Sequence, residues 1–188
     1  MADDRRIQLA DAGLAVLAAA GARGLTHRAV DRAAGLSEGS TSYYFRTRAA
    51  LLQACATRLG ERTMTVVSPL ADAADLSTSE LAQLAVSAVR AWIADNGVLV
   101  LARHELLLES AHHPEMRGIL VAATDHIRVL LERRVSVLGY PDAAERTADL
   151  IACLDGVALA HAVRGATDED SLKRSVIRVV AGLLDRRD

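Results

Sequence analysis

Apolar positions recur at three- and four-residue steps along most of the chain, and no run alternates apolar with polar in the manner of a half-buried strand. That pattern predicts an all-α fold of nine helices. The first runs from about Asp3 to Ala20, with Ile7, Leu14, Leu17 and Ala18 on one face and Gly21 as its stop. The second spans His27 to Ala34, with the Thr26 hydroxyl as N-cap for an otherwise orphan backbone N–H. Gly35-Leu36-Ser37 reverses the chain, and a third helix runs from Glu38 to Tyr44. The fourth begins near Thr47, carries Leu51, Leu52, Cys55 and Leu59 inward, and ends by Pro69. A loop is predicted over residues 72–76. Ser77 and Glu80 then have capping-box spacing and open a fifth helix that stops at Asn96-Gly97. The sixth covers 98–111 and breaks at His112-His113-Pro114; the seventh covers about 115–138 and stops at Gly139-Tyr140-Pro141. The eighth runs from Asp142 to Arg164, and a ninth follows a loop at 165–168.

Composition sharpens this picture in a few places. The chain has 188 residues, 51% of them hydrophobic but only 3% aromatic, so its core is built from Ala, Leu and Val and is large enough to sustain a folded body. The net charge of −2 is unevenly distributed. Residues 1–60 hold eight arginines against five acidic residues, whereas residues 61–188 hold 14 basic against 19 acidic ones. A basic amino-terminal part on an acidic body suits local phosphate contact better than general polycation behaviour. Cys55 and Cys153 lack CxxC spacing, and no secretory signal or apolar run of membrane-spanning length is visible, so the expected location is the cytoplasm, away from membranes.

The chemistry concentrates in LTHRAVDRAAGLSEGSTSYYFRTRAALL, residues 25–52. A short helix, a glycine turn and a second short helix rich in hydroxyls and aromatics form the pattern of a helix-turn-helix. Small hydroxyls at Ser40, Thr41 and Ser42 can approach base edges, and the Thr methyl can press on a thymine methyl. Tyr43, Tyr44, Arg46 and Arg48 can donate to phosphate oxygens, as can Thr26, His27 and Arg28 around the amino end of the second helix. Ser37, Glu38 and Gly39 complete the expected DNA-binding set; Glu38 repels phosphate, so it caps the helix, pairs with Arg or accepts from a cytosine amino group. Phe45 reads as a core plug.

This segment resembles the DNA-binding signature of TetR-family transcriptional repressors. The resemblance is carried by Thr26, Val30, Ala33-Ala34-Gly35-Leu36-Ser37, Gly39-Ser40, Tyr44-Phe45, Arg46, Arg48 and Leu51-Leu52. It covers roughly the first 60 residues, and RHELLLESAHHPEMR further along is similar to a segment of some members. Two positions depart from it: Glu38 stands where the family often has a basic residue, and Ser42 where it often has Tyr. The resemblance implies a DNA-binding domain over residues 1–48 and an effector-binding and dimerisation domain over residues 49–188.

In that second part, Trp92, Leu101, Glu105, Leu108, Met116, Ile119, Ala123 and His126 are the candidate ligand-pocket residues. Three have an alternative: Trp92 reads equally as a core residue, His126 more readily as a core histidine than as a ligand contact, and Glu105 as a buried charge paired with an arginine such as Arg103 or Arg128. His104, Glu105, Glu109, His112 and His113 lack the spacing of a zinc site, and neither a metal nor a cofactor is expected. The last two helices are apolar around a wide arc. Ile151, Leu154, Asp155, Gly156, Leu159, Val176, Val180 and Leu183 are the candidate interface of a four-helix bundle between two copies.

No glycine-rich phosphate cradle, nucleophile elbow or paired carboxylates appear, so an enzyme is not expected. The expected function is a homodimeric repressor that binds double-stranded DNA at a palindromic operator and is released by a small lipophilic effector. The alternatives are an activator or ligand-free DNA-binding protein with the same headpiece, or a small helical ligand carrier or enzyme.

Overall fold

The computed structural model describes residues 2–69, 76–164 and 168–185. Nine α-helices lie among the described residues: α1 (Ala2–Gly24), α2 (His27–Ala33), α3 (Ser40–Tyr44), α4 (Arg48–Val67), α5 (Thr78–Ile93), α6 (Val98–His112), α7 (Pro114–Val137), α8 (Ala143–Arg164) and α9 (Glu169–Leu184). A single 3₁₀ turn, Asp95–Gly97, joins α5 to α6, and no strand occurs among the described residues. The expected loops at 72–76 and 165–168 lie, but for Leu76 and Asp168, outside the described residues.

Local chemistry explains two of the helix starts. The Thr26 hydroxyl accepts from the Ala29 N–H at 3.1 Å. At the start of α5 the capping box is complete, Ser77 Oγ accepting from the Glu80 N–H and the Glu80 carboxylate from the Ser77 N–H. Two ends differ from expectation. Gly21 breaks α1 with φ 68° and ψ −179°, yet helix resumes to Gly24. Only glycine holds that left-handed φ without strain. The third helix begins at Ser40 rather than Glu38, because Gly39 precedes it at φ 91°.

Two compact units emerge. The first comprises Met1–Arg62 and Val98–Thr124. Here α1 packs on α2 and α6, and α2 on α3. Leu9, Leu14 and Leu17 are fully buried, while Ile7, expected on the same face, is 42% exposed. Leu51, Leu52, Cys55 and Leu59 of α4 are buried as their spacing predicts. Arg58 of α4 grips Asp11 of α1 through two bonds, at 2.9 and 3.1 Å. The Gln8 side-chain amide donates to the Ala34 carbonyl at 3.2 Å, supplying a partner at the carboxyl end of α2.

The second unit comprises Thr63–Gly97 and Asp125–Asp188. In it α9 packs on α5 and α8, and α5 on α8. Leu172, Val176, Val180 and Leu184 line the inward stripe of α9. The carbonyls at the end of α9 are met by side chains: Leu184 accepts from Thr78 and from the Tyr140 hydroxyl, and Leu183 accepts from Arg146. The Arg146 guanidinium lies 4.5 Å from the centre of the Tyr140 ring.

Candidate nucleic-acid interface

Two short helices and a glycine turn build the interface. Gly35 takes φ 68° at the end of α2, and the Leu36 N–H returns to the Asp31 carbonyl at 2.9 Å. The following helix, α3, has no side-chain cap at its own N-cap position, Gly39. The cap comes from α2 instead. Asp31, only 1% exposed, accepts from the Gly39 N–H at 2.9 Å, the Thr41 N–H at 2.7 Å and the Thr41 hydroxyl at 2.6 Å. Burial by itself raises the Asp31 carboxyl, but the bonds from Thr41 and Gly39, with His27 nearby, outweigh it and hold the group below its ordinary value.

This arrangement sorts the expected DNA-binding residues. Tyr43 is 79% exposed, and Thr26, Arg28, Ser37, Glu38, Gly39, Ser42 and Arg46 are exposed as well. Glu38 lies 3.9 Å from Arg28 across the turn, so the pairing expected for this acidic residue is with an arginine of α2. Ser40 is half-buried and donates back to the Ser37 carbonyl at 2.7 Å. Tyr44 is half-buried and meets Tyr43 edge-on, with ring centres 5.1 Å apart.

Three of these residues are engaged by the protein itself, although Arg48 stays exposed. Thr41 is fully buried and its hydroxyl is spent on Asp31. His27 Nε2 is 2.6 Å from the Phe45 carbonyl, which joins the start of α2 to the end of α3. Arg48 turns toward the body, donating to Glu109 at 2.5 Å and to the Ala22 carbonyl at 2.9 Å. Phe45 is the core plug its neighbours suggest, at 5% exposure.

Two residues of this region were missed. Asp31 is one; its only sequence signal is an acidic side chain on a helix otherwise carrying His27, Arg28 and Arg32. Arg6 is the other. From α1 its guanidinium sits 5.5 Å from the centre of the Phe45 ring and 5.9 Å from that of Tyr44, which brings a cation to the end of α3.

The residues expected to line a ligand pocket fall in both units. Leu101, Glu105 and Leu108 belong to the first unit, and Trp92 and His126 to the second. Leu108 is 58% exposed, and His126, read as a pocket or core residue, is exposed. The Glu105 carboxylate accepts from the Ala22 N–H at 2.8 Å, a backbone partner not foreseen from the sequence. The side chains of Met116, Ile119 and Ala123 lie outside the described residues. Among the expected interface residues, Val176 and Val180 are fully buried within their own chain and Asp155 is buried, so they serve the interior. Gly156 is exposed, and Ile151, Leu154, Leu159 and Leu183 are half-buried. Among the described residues no group of three His, Cys, Asp or Glu is placed to hold a metal ion, and no single helix is long and apolar enough to cross a membrane.

Two family profiles match the chain. "Bacterial regulatory proteins, tetR family" covers residues 9–55, and "Tetracyclin repressor-like, C-terminal domain" covers residues 76–186. No curated protein matches it. Among solved structures, a transcriptional regulator from Rhodococcus sp. Rha1 is 22% identical over 95% of each chain, with a TM-score of 0.77, a likeness of fold. A TetR-family member from Streptomyces coelicolor A3 is 28% identical over 93% of this chain and 97% of the other, with a TM-score of 0.69. The multidrug binding protein EbrR, solved with imidazole, is 27% identical over 93% and 94%, with a TM-score of 0.63.

Proposed function

The chain belongs to the TetR family of bacterial regulatory proteins, and from that premise we propose that it is a ligand-responsive repressor that binds a palindromic operator as a homodimer. The exposed hydroxyl and aromatic face of α3 reads the major groove, with Ser42 and Tyr43 as its most accessible side chains. Arg28, Arg46 and the Tyr44 hydroxyl fix register on phosphates. Two copies, joined through the outward faces of α8 and α9, present two such helices to two half-sites.

One observation carries the regulatory part. Both backbone groups of Ala22, at the end of α1, are held by side chains of other helices: the N–H by Glu105 of α6 and the carbonyl by Arg48 of α4, which in turn holds Glu109 of α6. Helix α6 therefore grips the base of the DNA-binding helices at two points one turn apart. Leu101 lies one turn before Glu105, so a ligand that displaces Leu101 drags this grip with it. An effector that favours the displaced form weakens operator binding by its difference in affinity for the two forms. EbrR, named as a multidrug binding protein and solved with proflavin and ethidium, supports a small organic effector.

The test is operator selection from random duplexes, followed by binding titrations with a panel of lipophilic compounds. A palindromic site bound tightly by a dimer and released by one compound supports the proposal. Absence of any selected sequence, or an operator complex that every compound leaves intact, overturns it in its DNA-binding or its effector part respectively.

A further inference from the structure

Helix α3 is five residues long and lacks a cap of its own, a length that is not self-sustaining in water. Its first N–H groups must find partners or go unpaired. Two of them, those of Gly39 and Thr41, are satisfied by one carboxylate that enters from α2. Each oxygen has a defined duty: Oδ2 holds Gly39, and Oδ1 holds both the N–H and the hydroxyl of Thr41. A planar group gripped at three points fixes the position and the rotation of α3 about its own axis relative to α2. That rotation decides which side chains face outward.

We propose that Asp31 is a positioning residue for DNA recognition, which sets the rotation of α3 so that Ser42 and Tyr43 meet the bases and which withdraws Thr41 from them. The proposal rests on the reading of this face as the DNA interface. Thr41 follows from the same geometry. It occupies the middle of the hydroxyl run Ser40-Thr41-Ser42, yet it acts on DNA only through Asp31.

A residue that merely stabilises the headpiece and one that orients α3 differ in what they change. Phosphate contacts from the exposed Arg28 and Arg46 tolerate a small rotation of α3, because they carry no sequence information. Base contacts do not. Loss of Asp31 in a protein that is still folded therefore spares non-specific binding and damages selectivity.

Asp31→Asn keeps the volume but turns one acceptor oxygen into a donor, and Thr41→Val removes only the hydroxyl bond. Both are assayed at a temperature where circular dichroism shows the variant fully folded, against the operator selected by the wild type and against random duplex. Asp31→Asn is expected to lower operator affinity roughly tenfold or more, the scale of a lost good base contact, with affinity for random duplex unchanged. Its own selected operators should be less restricted. In the Asp31→Asn background, Thr41→Val should add little, since its effect passes through the missing carboxylate. Fully additive effects of the two substitutions, or a folded Asp31→Asn protein with wild-type selectivity, overturn the proposal. If Asp31→Asn does not fold, Thr41→Val decides alone: a relaxed operator preference supports the proposal and an unaltered one overturns it. A wild-type protein that selects no operator instead defeats the underlying DNA-binding reading, a result visible before any variant is made.

Discussion

Arg48 and Glu109, 61 positions apart in sequence, are joined by a 2.5 Å hydrogen-bonded ion pair, with the Glu109 side chain only 13% exposed. A second nitrogen of the same guanidinium holds the Ala22 carbonyl. An arginine after a helix-turn-helix invites assignment to phosphate, and the geometry gives it other work. Arg48→Ala should therefore cost stability, about 1 kcal/mol given its partial exposure, while leaving the dependence of operator binding on salt unaltered. Urea titration measures the first and log–log binding plots the second. A slope shallower by about one unit would show Arg48 on a phosphate after all.

Ser42 and Tyr44 should separate two kinds of contact. Ser42 is exposed on α3, so Ser42→Ala should change which base is preferred at one position, by about 1–3 kcal/mol of discrimination if a good contact is lost. Tyr44→Phe should weaken binding to all duplexes alike, since a phenol on phosphate reads no sequence. Parallel selections and affinities for both variants check this. Identical operator preferences for Ser42→Ala and wild type would take Ser42 off the list of base contacts and leave Tyr43 there.

Gly13 of α1 faces Cys55 of α4 so closely that a Cβ there would stand 2.5 Å from the sulfur. Cys55 is fully buried, and burial, with Asp11 nearby, pushes its thiol up to about 12, so it stays protonated and serves as packing. Gly13→Ala should destabilise by about 1–3 kcal/mol despite the better helix propensity of alanine. The double variant Gly13→Ala, Cys55→Ala should be more stable than Gly13→Ala alone, because the second change removes the obstructing atom. Thermal unfolding of the single and double variants measures this, and strict additivity would mean that α1 and α4 part easily.

Asp31 gives the headpiece an acid limit. Its carboxyl is held below its ordinary value in the folded chain, so the unfolded chain takes up the proton first as pH falls. The stability it contributes is complete above the unfolded value, near ~pH 4, and is lost as pH falls through the lower folded value. Stability curves of wild type and Asp31→Asn should therefore lie apart at pH 7 and converge below ~pH 4. Curves that remain parallel to the lowest pH would assign the difference to packing.

Repeating apolar positions were enough to find the long helices, because a 3.6-residue period survives in any amphipathic helix, whereas α2 and the five-residue α3 were legible from the Thr26 cap, the glycine turn and the hydroxyl and aromatic run. The capping box at Ser77 and Glu80 was equally legible, since its partners are three residues apart. Contacts made across long sequence distances were not. Asp31 reaches Thr41 across a turn whose rotation no local pattern encodes, and Glu105 reaches Ala22 from another helix, 83 residues away. Val176 and Val180 illustrate a related limit. Apolar periodicity marks which residues share a stripe, but not whether that stripe meets its own chain or a second one.

The second-copy surface is best tested at Gly156. Along α8, Ala148, Ala152 and Gly156 are exposed, a small-residue stripe at four-residue steps that lets two helices approach closely, with Cys153 exposed beside it and Val163 71% exposed further along. A Cβ at Gly156 meets nothing within 4 Å from other elements among the described residues. Gly156 is exposed, so Gly156→Leu should be tolerated in the monomer and, by helix propensity, should make α8 more helical, which thermal unfolding checks. Any loss it causes reports on association. Sedimentation should show the wild type as a dimer and the variant as a folded monomer. Operator binding should fall by about a hundredfold or more, the gain in effective concentration that two linked heads supply. A wild-type monomer that still binds a palindrome tightly would remove the dimer from the mechanism. A variant that stays dimeric would move the contact to another part of α8 and α9, away from Gly156.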